Sequence, residues 1–245
     1  MSVILNYIWR GWLIILATVL TLIFSIPVYA LSFSKKNFKT CYFFIRCWCY
    51  GIFYGMGFRY DLHSLKNLKL DPSRQYVVIA NHTSIMDIML TCILLPHHPV
   101  CFVGKKELVK LPIFGQIYKR VCVMVDRKSP RSRADVYRRC AKKMEEGRSI
   151  VIFPEGGVSD DPNTILDPFK DGAFLLASKH HFPIAVFTYV GLRQMFPFDP
   201  KKGHPGKVKV ILNDIIEPHH SKEELKDLSY NMIHNTLIEE LMSSK

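Results

Sequence analysis

The sequence predicts an α/β fold, a mixed or largely parallel sheet flanked by helices, preceded by an N-terminal two-helix membrane segment. Three observations carry this. Two long apolar stretches open the chain. Short, continuous apolar runs of strand length recur behind them. Stretches with helix-capping signals alternate with those runs. The chain has 245 residues, enough for one ordinary domain plus an appendage. The division falls at residue 58, with 1–58 as the membrane-embedded helical segment and 59–245 as the α/β domain.

The first apolar stretch, Gly11 to Ser34, holds 24 residues without a charge. As a helix it would be roughly 36 Å long, enough for a hydrocarbon core of about 30 Å. Pro27 is expected to kink it. The second stretch, Thr40 to Phe58, has a single charge, Arg46. It holds eight aromatics, Tyr42, Phe43, Phe44, Trp48, Tyr50, Phe53, Tyr54 and Phe58. Such rings favour the membrane interface. A cleaved signal peptide or a buried pair of core helices would be the blander readings. No small-residue cleavage site is evident, and the run is long for a signal sequence. The pattern is compatible both with crossing the bilayer and with a hairpin in one leaflet.

Seven strands are expected behind this segment: Phe58–Leu62, Tyr76–Ala80, Val100–Val103, Val121–Val125, Ser149–Phe153, Ile184–Tyr189 and Lys207–Leu212. Several are apolar throughout, the mark of strands covered on both faces. Four helices are expected between and after them. Ser84–Leu95 opens with a Ser84-x-x-Asp87 capping box and stops before Pro96. Ser132–Glu146 opens with Ser132-x-x-Asp135 and ends at Gly147. Asp171–His180 is shorter. The last runs from Ser221, boxed by Glu224, to about Met242. Open α/β sheets carry their sites at the carboxyl ends of strands.

The net charge of +12 is concentrated. Residues 1–60 hold six Lys/Arg and no Asp/Glu, and residues 104–143 hold thirteen Lys/Arg against Glu107, Asp126 and Asp135. Basic charge beside a membrane segment suits anionic lipid or a phosphorylated substrate. No nucleic-acid motif is present, so nucleic acid is not expected as a partner. Lys35, Lys36 and Lys39 follow the first apolar stretch while only Arg10 precedes it, which puts the main domain on the cytoplasmic side. The seven cysteines are odd in number and form no Cys-x-x-Cys pair. That fits a reducing compartment and no structural zinc. The pairs His97-His98, His180-His181 and His219-His220 read as surface residues, so no metal is expected.

Three segments carry candidate chemistry. His82 follows an apolar strand, and Asp87 lies five positions on. Imidazole trades protons near neutral pH, and a carboxylate at its far nitrogen fixes its tautomer. On one helix, five residues rotate by about 500° and would not share a face. The two meet only if His82 precedes the helix and Asp87 lies near its start. The bland reading is a capping carboxylate beside a strand-end histidine. In the second segment, Pro154-Glu155-Gly156-Gly157 ends another apolar strand. Glycines there let the backbone approach a ligand, though an ordinary turn reads the same way. In the third, Lys105 and Arg127 each follow a strand, where a cation could reach a phosphate. Solvated surface charge is the alternative.

In order and spacing these segments resemble the 1-acylglycerol-3-phosphate (lysophosphatidate) O-acyltransferase family of glycerolipid acyltransferases. Asn-His-x4-Asp matches Asn81, His82 and Asp87. Gly-Lys-x-Glu-Leu, then Pro-x-Phe-Gly, then a strand ending in Arg, match Gly104, Lys105, Glu107, Leu108, Pro112, Phe114, Gly115 and Arg127. Phe-Pro-Glu-Gly matches Phe153 to Gly156. Phe-Lys-x-Gly-Ala matches Phe169, Lys170, Gly172 and Ala173, and an apolar strand opened by Pro matches Pro183 to Val186. The match covers about residues 76–190.

The resemblance implies transfer of a fatty acyl group from acyl-CoA or acyl carrier protein to a lysophospholipid hydroxyl, a step of phospholipid biosynthesis at a membrane. The acyl thioester is then a co-substrate, and no cofactor is expected. His82 would be the base, oriented by Asp87. Lys105, Arg127, Glu155, Gly156 and Gly157 would hold the acceptor. One departure stands out. The family often places an arginine where this chain has Val158, so a lyso-aminolipid without a phosphate is an alternative acceptor. A hydrolase using His82 and Asp87 on water, and a non-catalytic lipid-binding protein, are the readings from other classes. No Gly-x-Ser-x-Gly elbow or metal-ligand spacing supports the hydrolase.

Overall fold

The structure, a computed structural model, describes residues 1–126, 128–159, 161 and 163–243, with the backbone alone at Arg133. Helix α1 runs from Val3 to Leu31 and continues through Pro27 without a break. Its 29 residues make it roughly 43 Å long. Its most apolar window has a mean hydropathy of 2.4 and is almost wholly exposed. Among the described residues it is the one helix long and apolar enough to cross a membrane.

Helix α2, Phe38–Gly55, behaves differently from α1. One face of α2, with Cys41, Tyr42, Cys49, Ile52 and Phe53, is buried in the protein core. Its charged residue explains the docking. Arg46 donates from Nε to the carbonyl of Cys92, and Tyr42 donates its hydroxyl to the carbonyls of Cys92 and Leu95. These groups satisfy the open carbonyls at the end of helix α3, Met86–Leu94, where a cation is also favoured by the helix dipole. Of the aromatics of this stretch, Tyr42, Phe53 and Phe58 are buried and Phe43 is exposed. The outer face of α2 receives α1 closely. A β-carbon at Gly51 or Gly55 would fall 2.6 Å from Leu20 or Leu16. The core thus runs across residue 58, joining Val28, Phe53, Phe58, Val78 and Val210 in one cluster.

Among the described residues the sheet has seven strands, in the order β1-β7-β6-β2-β5-β3-β4. They are β1 Arg59–Ser64, β2 Val77–Ala80, β3 Val100–Lys105, β4 Val123–Val125, β5 Ser149–Ile152, β6 Ile184–Val190 and β7 Lys207–Ile216. Among the described residues only the β6–β7 pairing is antiparallel. Five strands therefore end at one edge of the sheet, while β1 and β7 run the other way. Helices α1 to α3 cover one face. The other is covered by α5 (Pro130–Glu145), α6 (Gly172–His180) and α8 (Lys222–Ser243). Burial on both faces explains why β2 is apolar at every position.

The capping signals are used unequally. Ser221 and Glu224 exchange backbone bonds of 2.8 and 3.2 Å before α8. Helix α5 instead begins earlier than its sequence signal. Ser129 caps it, accepting the Ser132 N–H, and Pro130 fills the first turn, where a missing N–H does no harm. Asp135 is then released to pair with Arg138 and Arg139. Two short helices, α4 (Phe114–Val121) and α7 (Leu192–Met195), add to the expected set. His98 is not a surface residue. It is buried edge-on against Tyr76, 5.4 Å between ring centres.

Candidate active site

The site forms where β2 hands over to α3. Asn81 extends the β2–β6 pairing with its side chain. Its amide donates to the Tyr189 carbonyl at 2.8 Å and its oxygen accepts the Tyr189 N–H at 2.7 Å. This fixes the backbone from which His82 departs. Asp87 lies in the first turn of α3, fully buried. Its Oδ2 accepts the N–H groups of Thr83 and Ser84 at 2.6 and 2.8 Å and stands 2.9 Å from Nδ1 of His82. A carboxylate at a helix N-terminus is stabilised by these donors and by the dipole. It only accepts, so the proton between the two rests on Nδ1 and leaves Nε2 as the basic nitrogen.

The imidazole plane is fixed as well. It stacks on Phe153 at 4.2 Å and 14°. The side chain of His82 keeps 17% of its surface exposed while that of Asp87 keeps none. One partner faces the opening and the other is sealed beneath it.

The second expected segment meets the first. Glu155 is buried, and its Oε1 accepts the backbone N–H of His82 at 2.5 Å. Its Oε2 accepts the N–H of Asp167 at 3.0 Å. Burial pushes this carboxyl up to about 7, against the two N–H bonds, which favour the anion. Gly156 follows with φ +79°, and a β-carbon there would fall 2.4 Å from Nζ of Lys170. The Lys170 side chain is thus folded against the turn, and the backbone N–H of Lys170 donates to the Pro154 carbonyl. Gly157 is half-buried beside it.

The structure therefore brings His82, Asp87, Glu155, Gly156 and Gly157 together. Lys105 closes β3 at the same edge of the sheet, exposed to solvent. Arg127 lies outside the described residues. Sequence reasoning gives Phe153, Asn81 and Lys170 no role of their own, although all three fall inside the segments it selects. Phe153 is the last apolar residue of its strand run, and its use as a stacking platform has no separate signal.

A family model described as Acyltransferase matches residues 59–190. The 1-acyl-sn-glycerol-3-phosphate acyltransferase of Helicobacter pylori is 27% identical over 62% of this chain and 65% of that protein. The human 1-acyl-sn-glycerol-3-phosphate acyltransferase beta is 29% identical over 75% of this chain and 63% of that protein. The chain spans about half to two thirds of the length of the curated relatives it matches. The crystal structure of the 1-acyl-sn-glycerophosphate acyltransferase PlsC from Thermotoga maritima superposes with a TM-score of 0.80. It covers 98% of this chain at 24% identity, a likeness of fold. With its domain spanning residues 59–190, the chain belongs to the Acyltransferase family.

Proposed function

We propose that this chain is a membrane-bound acyltransferase that moves a fatty acyl group from a thioester donor, acyl-CoA or acyl carrier protein, to the hydroxyl of a lysophospholipid, with lysophosphatidate as the acceptor and phosphatidate as the product. The observation that carries it is the His82–Asp87 pair at the opening of the sheet edge. Family membership and the relatives' printed activities support the substrate class.

The geometry supports the following course. Nε2 of His82 takes the proton of the acceptor hydroxyl. Asp87 holds the resulting imidazolium through Nδ1–H. The alkoxide attacks the thioester carbonyl, the C–S bond breaks as the tetrahedral intermediate collapses, and the thiolate recovers the proton from Nε2. A base positioned in this way typically contributes about 10²–10⁴-fold. Lys105, Arg127, Glu155, Gly156 and Gly157 are proposed to hold the acceptor's phosphoglycerol part. Helix α1 is proposed to anchor residues 1–58 at the bilayer, with the remainder on the cytoplasmic side, where Lys35, Lys36 and Lys39 favour it.

One observation keeps a second acceptor in view. Val158, half-buried two residues after Gly156, offers no charge to a phosphate. A lyso-aminolipid would suit that position. The test is to supply the purified protein in detergent with a labelled acyl donor and a panel of lyso-lipids, and to identify the product by mass. Phosphatidate is the expected product. Release of free fatty acid alone would point to a hydrolase, and lipid binding without turnover to a non-catalytic protein.

A further inference from the structure

A second concave feature lies at the same edge of the sheet, beyond the site described above. It is a cleft of about 590 Å³ between the end of β3 and the start of α5, lined by Lys106, Asp126, Arg131, Asp135, Arg138 and Arg139. Four cations there face two carboxylates. The carboxylates pair with three of these cations, Lys106, Arg138 and Arg139. Asp126 stands 3.4 Å from Lys106, and Asp135 pairs with Arg138 and Arg139 at 2.7 and 2.8 Å. Arg139 is tethered again by donating to the Met124 carbonyl at 2.7 Å. The first turn of α5 carries no acidic residue, so its N–H groups add to the positive field. The cleft is within the ordinary size range for a small-molecule ligand.

Its position matters more than its charge. Strand β4 is three strands from β2 along the sheet, so the cleft stands roughly 15 Å from His82 at a spacing of about 4.8 Å. A pantetheine arm joins a thioester sulfur to a pyrophosphate through about 13 bonds, which extend to roughly 15 Å. The cleft also borders α5, on the face of the sheet opposite α1 to α3. An aqueous ligand can reach that face, whereas a bilayer against α1 cannot.

We infer that this cleft binds the phosphorylated nucleotide of acyl-CoA and places its thioester at His82. This rests on the function proposed above and narrows its donor. Acyl carrier protein bears one phosphodiester at the base of its arm and no nucleotide, so it would leave most of this open basic cleft unfilled.

The test compares palmitoyl-CoA with palmitoyl-pantetheine, which has the same thioester and no phosphate, in the whole protein and in the double variant Lys106→Glu, Arg131→Glu. Both side chains are exposed, and a glutamate in the first turn of α5 is compatible with the helix. The KM for palmitoyl-CoA is expected to rise about tenfold at unchanged kcat, with palmitoyl-pantetheine kinetics unaffected. The paired alanine variant, should the glutamates unfold the protein, is expected to give a smaller effect of the same selectivity. An equal change with both donors, no change with either, or a native protein that accepts acyl carrier protein but not palmitoyl-CoA would overturn the assignment. Equilibrium dialysis with CoA separates the two levels. Binding of CoA that needs Lys106 and Arg131, in a protein that transfers no acyl group, would keep the cleft and sink the proposed reaction.

Discussion

Nδ1 of His82 stands 2.9 Å from Oδ2 of Asp87 although five residues separate them. Two residues on one helix at that spacing would point apart. They meet because His82 belongs to the strand exit and Asp87 to the first turn of α3, and because the N–H groups of Thr83 and Ser84 fold the link back onto the same carboxylate oxygen. One oxygen thus caps the helix and holds the imidazole. The capping and catalytic readings of Asp87 are therefore two descriptions of one arrangement.

Asp87→Asn should separate these roles. The amide oxygen can still accept backbone N–H groups, so the helix start should survive. The amide no longer balances an imidazolium. The expected outcome is a kcat lower by about 10²–10⁴-fold with little change in KM. Steady-state kinetics beside circular dichroism checks it. Native-like kcat in a folded variant would leave Asp87 with capping alone.

Glu155 gives the stability a pH dependence. Its carboxyl is raised from about 4.5 to about 7, chiefly by burial. Between those values the folded protein holds a proton that the unfolded chain releases, so this group's contribution weakens as pH rises and is lost by about pH 7. Retaining one proton across one pH unit is worth roughly 1.4 kcal/mol, so the total is a few kcal/mol. Glu155→Gln has no such titration. The melting temperature of native protein relative to this variant should fall from about pH 4.5 to about pH 7 and then level off. Parallel melting curves across that range would contradict the assignment.

Gly156→Ala should damage the turn twice. The residue sits at φ +79°, a conformation costly for alanine, and the added methyl group would displace the Lys170 side chain. A loss of about 1–2 kcal/mol of stability is expected, together with a raised KM for the acceptor. Unchanged kinetics would show that the ammonium against Gly156 plays no part in acceptor binding.

Val158→Arg probes the acceptor. If lysophosphatidate is the native acceptor, its KM should fall or stay level. Activity on lysophosphatidate that arises only in the variant would point to a different native acceptor. Kinetics on lysophosphatidate and on a lyso-aminolipid, side by side, distinguish these outcomes.

Much of the α/β domain is legible in the sequence because its strands are buried on both faces, which writes runs such as Val77–Ala80 and Ile150–Ile152 directly into the chain. The turns around the site are legible for a related reason. Glycine after Glu155, and capping residues after His82, are demanded by local backbone geometry. Long-range pairing leaves weaker marks. Nothing local indicates that Asn81 would bond to Tyr189, or that Phe153 would stack on His82, since both depend on which strands become neighbours. Helix α2 is hard to read for a similar reason. An apolar aromatic helix packed on α3 and one lying in lipid have nearly the same composition, and it is the buried face with the bonds from Tyr42 and Arg46 to the end of α3 that shows how one side of α2 is used.

The most direct measurement is acyl transfer by His82→Ala, using purified protein, a labelled thioester donor and lysophosphatidate in detergent. Melting temperature and sedimentation with lipid vesicles serve as controls. With His82 as the base, the variant remains folded and vesicle-bound, and its turnover falls by about 10²–10⁴-fold or below detection. Turnover at the native rate in a folded, vesicle-bound variant would show that His82 is not the base.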